Sequence, residues 1–263
     1  MDLGLKGKVA LVAASSRGLG RAVAEELAAE GASLILCARN EQVLTETRDA
    51  IVRMTGAQVL AVPADVAHAS DARRIVDLGI ENFGQIDILV TNAGGPPAGT
   101  FENITTAQWE EAVRLTLFSV IELTRHVLPG MKERGWGRIL NITSIAVKQP
   151  VENLLLSNSL RAGVTGFART LANEVASLGI TVNNILPGYT RTERVEELAS
   201  MMAEKQGISP AEFKGKWEHE IPMKRLGEPR EFAALAAFLV SERASYITGT
   251  SIQVDGGWIR SLL

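Results

Sequence analysis

Short, continuously apolar runs alternate along this chain with longer amphipathic stretches, and that alternation leaves few folds open. Val9-Ala10-Leu11-Val12 precedes a helical pattern over 21–30 that stops at Gly31. Leu34-Ile35-Leu36-Cys37 precedes another over 41–55, and Val59-Leu60-Ala61-Val62 a third over 72–83. Further apolar runs follow at 86–90, 138–142, 182–186 and 252–254. A strand with no polar face is buried on both sides, and the intervening helices supply the cover. The pattern therefore predicts an α/β fold, a doubly wound parallel sheet with helices on both faces. The 263 residues are ample for one such core, and no linker, low-complexity segment or repeat divides them. Residues 1–263 read as a single domain.

Two stretches, 109–128 and 154–176, are apolar around most of their circumference. As continuous helices they would bury more than one face. The sheet takes one face; a partner subunit is expected on the other, with a thicker core as the alternative. Residues 192–222 break the rhythm: they are charged and helical, with Met201, Met202, Phe213 and Trp217 and a turn at 207–210. Such an insertion is expected to be a mobile flap over a site.

Lys and Arg number 27 against 30 Asp and Glu, a net charge of -3, which argues against a nucleic-acid-binding face. The longest apolar run, 232–240, falls well short of the ~20 residues of a membrane span. The first residues carry no secretory pattern. The expectation is a cytoplasmic protein with no nucleic-acid and no membrane partner. Cys37 is the single cysteine, which excludes an internal disulfide and a thiolate cluster, and it reads as a small buried hydrophobe. His68, His126 and His219 are far apart, so no metal site is expected.

The first apolar run leads into Ala13-Ala14-Ser15-Ser16-Arg17-Gly18-Leu19-Gly20 and then a helix. Glycines at such a junction let backbone approach a phosphate, and the helix N-terminus supplies N–H groups and a positive dipole. About twenty residues on, where a carboxylate would accept a bond from a ribose 2′-hydroxyl, the chain has Ala38 and Arg39. Arg39 and Arg17 instead suit a 2′-phosphate, so NADP is expected over NAD.

With these motifs the chain resembles the short-chain dehydrogenase/reductase family, over nearly its whole length. The family's glycine motif falls on 13–20, including Ser15, Ser16, Arg17, Gly18, Leu19 and Gly20. Its Asn-Ala-Gly signature falls on Asn92-Ala93-Gly94, and its adenine-contacting pair on Asp65-Val66. The segment from Asn184 to Pro187-Gly188 matches the one beside the nicotinamide, and Thr192 matches the residue that holds the carboxamide. The ending Val254-Asp255-Gly256-Gly257 is also typical, and β-ketoacyl-acyl-carrier-protein reductases look most similar. The resemblance implies a Rossmann-type fold, bound NADP(H), a small ketone, alcohol or acyl-thioester substrate, and a homotetramer or homodimer.

The family's chemical end is altered. Its catalytic Ser is present as Ser144, but the Tyr thirteen residues on is Ser157, the Lys four beyond that is Arg161, and the helical Asn is Thr116. A serine hydroxyl is a much weaker acid than a phenol, whose pKa is about 10. Arg161 is expected to contribute charge and bonds to ribose hydroxyls, but not to act as an acid. Lys148, four residues after Ser144, is a candidate proton donor if desolvated, with a solvated loop lysine as the alternative. Ser144, Lys148, Ser157 and Arg161 are thus the candidate catalytic set. Tyr189 is the one tyrosine expected near the nicotinamide. Ala14 stands where the family has Gly; the loop is expected to follow a slightly different path rather than force Ala14 to positive φ. The leading expectation is an NADP-dependent oxidoreductase with an altered proton donor. The alternative is a catalytically impaired NADP-binding module acting through partners. Isomerisation or dehydration is a third reading that nothing in the sequence selects.

Overall fold

The computed structural model describes residues 2–262. The apolar runs form strands β1 (Val9–Ala13), β2 (Ser33–Ala38), β3 (Val59–Pro63), β4 (Ile88–Thr91), β5 (Gly137–Ile142), β6 (Ile180–Pro187) and β7 (Ser251–Val254). They pair in parallel throughout, in the order β3-β2-β1-β4-β5-β6-β7. The helices are α1 (Gly18–Ala29), α2 (Glu41–Thr55), α3 (Ala69–Phe83), α4 (Thr106–Val113), α5 (Ser119–Arg134), α6 (Leu155–Val175), α7 (Glu193–Gln206), α8 (Pro210–Glu220) and α9 (Pro229–Leu239). This is the Rossmann-type doubly wound sheet expected from the alternation.

One core lies between the sheet and α1 and α9, with Val23, Leu27, Phe232 and Ala236 against Leu34 and Ile185. The other lies under α3, α5 and α6, with Ile75, Leu123, Val127, Ala168 and Leu171 against Leu11 and Ile139. Local chemistry sets the helix ends. The Asn40 side chain accepts from the Val43 N–H at the start of α2, and Gly56 closes it at φ 72°. Cys37 is fully buried, and burial pushes its thiol up to about 12.

The stretch 109–128 is not one helix. α4 ends at Val113, a π-helical turn spans Arg114–Phe118, and α5 then runs on to Arg134. The Ser119 hydroxyl donates to the Leu115 carbonyl (2.5 Å), drawing on an oxygen of the same turn. The periodicity that looked continuous is therefore interrupted, and the turn places Thr116 in the interior, 5% exposed. Residues 192–222 form the helix pair α7–α8 with its own small core, Ala199, Ala203, Phe213, Trp217 and Ile221.

A polar row crosses the sheet just below its carboxyl end. Thr91 Oγ1 donates to Asn141 Oδ1 (2.7 Å), Asn141 Nδ2 to Asn184 Oδ1 (3.1 Å), and Asn184 Nδ2 to Ser251 Oγ (3.1 Å). These residues are register partners across β4, β5, β6 and β7. A one-residue slip of any strand would leave buried amide groups unpaired, so the row holds the strand ends level. Asn92, Thr143-Ser144 and Pro187-Gly188 all leave the sheet within a few residues of it.

Candidate active site

β1 and β4 are neighbours whose following strands lie on opposite sides, and in open α/β sheets ligands bind in the crevice beyond such a switch point. The loop after β1 and the Asn92-Ala93-Gly94 turn after β4 enclose it. Contrary to expectation, this loop does not bypass the demand on Ala14, which sits at φ 47°. The reason is tertiary: Asn92 Nδ2 donates to the Ala14 carbonyl (3.3 Å), and a Cβ at Gly20 would collide with that same oxygen. The carbonyl is thus wedged between α1 and the β4 turn, with Ala14 held at positive φ. Left-handed backbone costs an L-residue about 1–2 kcal/mol. Ala14→Gly is therefore expected to raise stability by about 1 kcal/mol, read as a shifted denaturant midpoint at constant slope.

The residues present fit a dinucleotide. Arg17 precedes α1 without a side-chain cap, so the first N–H groups of that helix are free for an anion. Gly18, at φ 58°, borders a cleft of about 450 Å³ shared with Arg21, Thr192 and Glu193. Arg17 and Arg39 are exposed at the ends of β1 and β2, and neither has an ion-pair partner among the described residues. Ser15 and Ser16 are buried, with the Ser16 carbonyl accepting from Thr47 Oγ1 (2.9 Å). Asp65 accepts the Ala67 N–H (3.0 Å), and Val66 is buried beside it. Gly188 packs so closely on Asp255 that a Cβ would lie 2.7 Å from its Cα, which fixes the Pro187-Gly188 turn against the end of β7.

At the chemical end, two of the four candidate catalytic residues are hydrogen-bonded to each other, and a third, Ser144, follows a residue whose carbonyl one of them holds. Arg161 Nε donates to Ser157 Oγ (3.2 Å), and its Nη1 donates to the carbonyls of Ile142 (2.9 Å) and Thr143 (2.8 Å). Ser144, the next residue, accepts the Ala146 N–H (3.1 Å). Both serine oxygens already accept a bond, so each O–H remains to donate elsewhere. Desolvation, and secondly the charge of Arg194, push the Arg161 guanidinium down to about 10. It is still a cation at neutral pH. Between α5 and α6 lies a cavity of about 10 Å³, lined by Thr91, Asn92, Ala93, Thr116, Thr143 and Arg161 among others. The Thr116 and Thr143 hydroxyls are buried there without a partner, and the space is about the least that holds one water.

Two candidates lie elsewhere. Lys148 Nζ donates to Gln253 Oε1 on β7 (2.8 Å) and makes no bond to Ser144, Ser157 or Arg161. Tyr189 is stacked on Trp217 (4.4 Å between centroids) and meets Trp258 edge-on (5.9 Å). Burial, with Glu220 adding, pushes its hydroxyl up to about 12, so it is a poorer acid than a free phenol. An unfolded tyrosine ionises near pH 10. Between pH 10 and 12 the folded chain thus holds a proton that the unfolded chain has lost, and stability falls as pH rises through that window. A tyrosinate absorption step at about pH 12 is expected, and Tyr189→Phe should remove it.

Thr192 caps α7 by accepting the Val195 N–H and leans over Gly18. Sequence reasoning missed Thr143 and Arg194. Arg194 Nη2 donates to the Pro96 carbonyl (3.2 Å), joining α7 to the turn after β4. No local pattern announces a contact between residues so far apart in the chain.

A family profile described as "Enoyl-(Acyl carrier protein) reductase" matches residues 13–259. The chain belongs to the short-chain dehydrogenase/reductase family. It is 35% identical over 253 residues to the 3-oxoacyl-[acyl-carrier-protein] reductase FabG of Haemophilus influenzae, covering 96% of this chain and 98% of that protein. It is also 35% identical over 251 residues to the acetoacetyl-CoA reductase of Allochromatium vinosum, covering 95% and 98%. Among solved structures, L-sorbose reductase from Gluconobacter frateurii, complexed with NADPH and L-sorbose, aligns over 100% of both chains at TM-score 0.95 and 35% identity. Among the described residues, no group of His, Cys, Asp and Glu could hold a metal ion, and no helix is long and apolar enough to cross a membrane.

Proposed function

We propose that this chain is an NADP-dependent oxidoreductase that reduces a 3-oxoacyl thioester or a related ketone, with an altered proton donor. The observation that carries this reading is the Ser157–Arg161–Thr143–Ser144 chain at the carboxyl end of β5. The backbone cradle at Gly18 and Gly20, with Arg17 and Arg39 for the 2′-phosphate, supports NADP(H). Asp65, Val66, Asn92, Gly94, Pro187, Gly188 and Thr192 complete its lining. When bound, the nicotinamide supplies the hydride. Ser144 and Ser157 donate their free O–H groups to the substrate oxygen. Arg161, immobilised by two carbonyls, adds a preorganised positive charge where negative charge grows in the transition state, and such stabilisation is typically worth about 10²–10³ in rate. Neither serine is an efficient final acid, so the proton reaches the alkoxide by way of water. Lys148 feeds that route only after releasing Gln253.

Phe101 and Phe118, the latter closing the π-helical turn, are exposed large apolar side chains, and we assign them to a homotetramer or homodimer contact. The α7–α8 pair covers the substrate as a flap. The stacked, desolvated state of Tyr189 favours a second reading, an NADP-binding module without redox turnover, because it leaves the site without a phenol.

The test is NADPH oxidation across a ketone panel that includes a β-ketoacyl thioester. Turnover that falls at least tenfold in Arg161→Met supports the assignment of roles, while a silent parent that still binds NADPH supports the binding module.

A further inference from the structure

We infer that the substrate carries an anionic group, a carboxylate or its equivalent, held by Arg194 of α7 opposite Arg161. This rests on the reductase reading above and names the substrate class for the same site.

The geometry comes from both sides of one short segment, 92–96. Asn92 and Ala93 line the small cavity that Arg161 borders. Two residues further, Arg194 lies against Gly95, where a Cβ would come within 3.1 Å of Nε, and donates to the carbonyl of Pro96. Each guanidinium thus lies near this segment, Arg161 at its Asn92-Ala93 end and Arg194 at Gly95-Pro96. Their mutual repulsion is one of the two causes that lower the Arg161 value.

The charge there is only weakly compensated. Arg161 is bonded only to neutral oxygens, those of Ser157, Ile142 and Thr143. Arg194 has Glu197 at 3.7 Å, an i,i+3 surface pair with the carboxylate 61% exposed, and such pairs are weak. Neighbouring arginines differ. Arg191 is paired with Glu218 (3.3 Å) and Glu228 (3.1 Å), Arg21 with Glu25 (2.7 Å), and Arg225 with Glu231 (2.6 Å). Arg161 is desolvated, the like charge of Arg194 adds to the cost of keeping it charged, and an anionic ligand relieves that cost. The planar fork of a guanidinium matches a carboxylate through paired donors. Glu193, one residue earlier, faces Gly18 and the phosphate side, so the turn of α7 aims Arg194 away from it.

The test uses 2-, 3- and 4-oxo acids, each beside its methyl ester, with NADPH, on the parent, Arg194→Met and Arg194→Lys. The parent is expected to prefer at least one acid over its ester by about tenfold in kcat/KM, as suits a charge-assisted pair. Arg194→Met should lower that acid-to-ester ratio about tenfold, with Arg194→Lys between. A parent that prefers the esters, or a ratio unchanged in Arg194→Met, overturns the proposal. So does a variant whose only change is a higher Kd for NADPH, since Arg194 would then serve a cofactor phosphate. If no compound turns over, the reductase reading is judged separately, by the β-ketoacyl thioester in the ketone panel above. The anion site is then judged by tryptophan-fluorescence titration of the protein–NADP⁺ complex with the same acids: saturable binding lost in Arg194→Met upholds it, and no binding overturns it.

Discussion

The Ser157→Tyr/Arg161→Lys double variant is expected to reduce ketones about 10² to 10⁴ times faster than the parent, the usual contribution of a positioned general acid. Positions 157 and 161 share one face of α6, and Arg161 Nε already reaches Ser157 Oγ at 3.2 Å. A phenol and an ammonium at the same spacing would meet in the same way. The ammonium would hold the phenol's ionised form and keep its pKa near the working range, while its three N–H donors still satisfy the carbonyls of Ile142 and Thr143. Steady-state NADPH oxidation by parent and variant under saturating cofactor gives the ratio. A double variant no faster than the parent would mean that the native constellation already supplies the proton, or that a later step limits turnover. A single-turnover measurement separates those two.

Gly20→Val is expected to be the most damaging single change at the cofactor end. A Cβ at Gly20 would collide with the carbonyl oxygen of Ala14 and lie 2.8 Å from Asn92 Nδ2, and the carbonyl is backbone that cannot swing aside. Relief requires α1 to retreat from the loop, which moves Gly18 and the free N–H groups away from the phosphate position. The expected loss is about 2–4 kcal/mol of stability, as for overpacking at a tight contact. NADPH binding, followed by cofactor fluorescence, is expected to weaken by at least about a hundredfold, since backbone N–H donors at the helix terminus carry the anion. Gly94→Ala is the control. A Cβ at Gly94 meets nothing within 4 Å, and its backbone is not in the left-handed region, so stability should change by less than about 0.5 kcal/mol. Equal damage at both positions would remove the steric argument.

Much of the candidate site was legible because its signals are local. Gly18 and Gly20 follow a strand and open a helix, which spacing alone announces, whereas Asn92, Ser157 and Arg161 were singled out by the resemblance to the family's motifs. The contacts that give them a chemical role were not legible. Arg161 is locked by two carbonyls on β5, Lys148 is drawn to Gln253 on an edge strand, and Arg194 reaches Pro96. Tyr189, which the resemblance puts near the nicotinamide, is stacked on Trp217 and meets Trp258 edge-on.

The chain's own order of residues determined the alternation of strands and helices, the parallel sheet and the glycine-bearing loop after β1. Each depends on a period or a turn preference that neighbouring residues set between them. The tertiary structure alone decided that Ala14 takes positive φ, that the 109–128 helix breaks at a π-helical turn, and that Arg161 is bonded to the Ile142 and Thr143 carbonyls while Arg194 reaches Pro96. A parallel sheet brings together strand ends that lie far apart in sequence. The fit between those ends, rather than any local preference, settles which backbone angles are strained and which charges go unpaired.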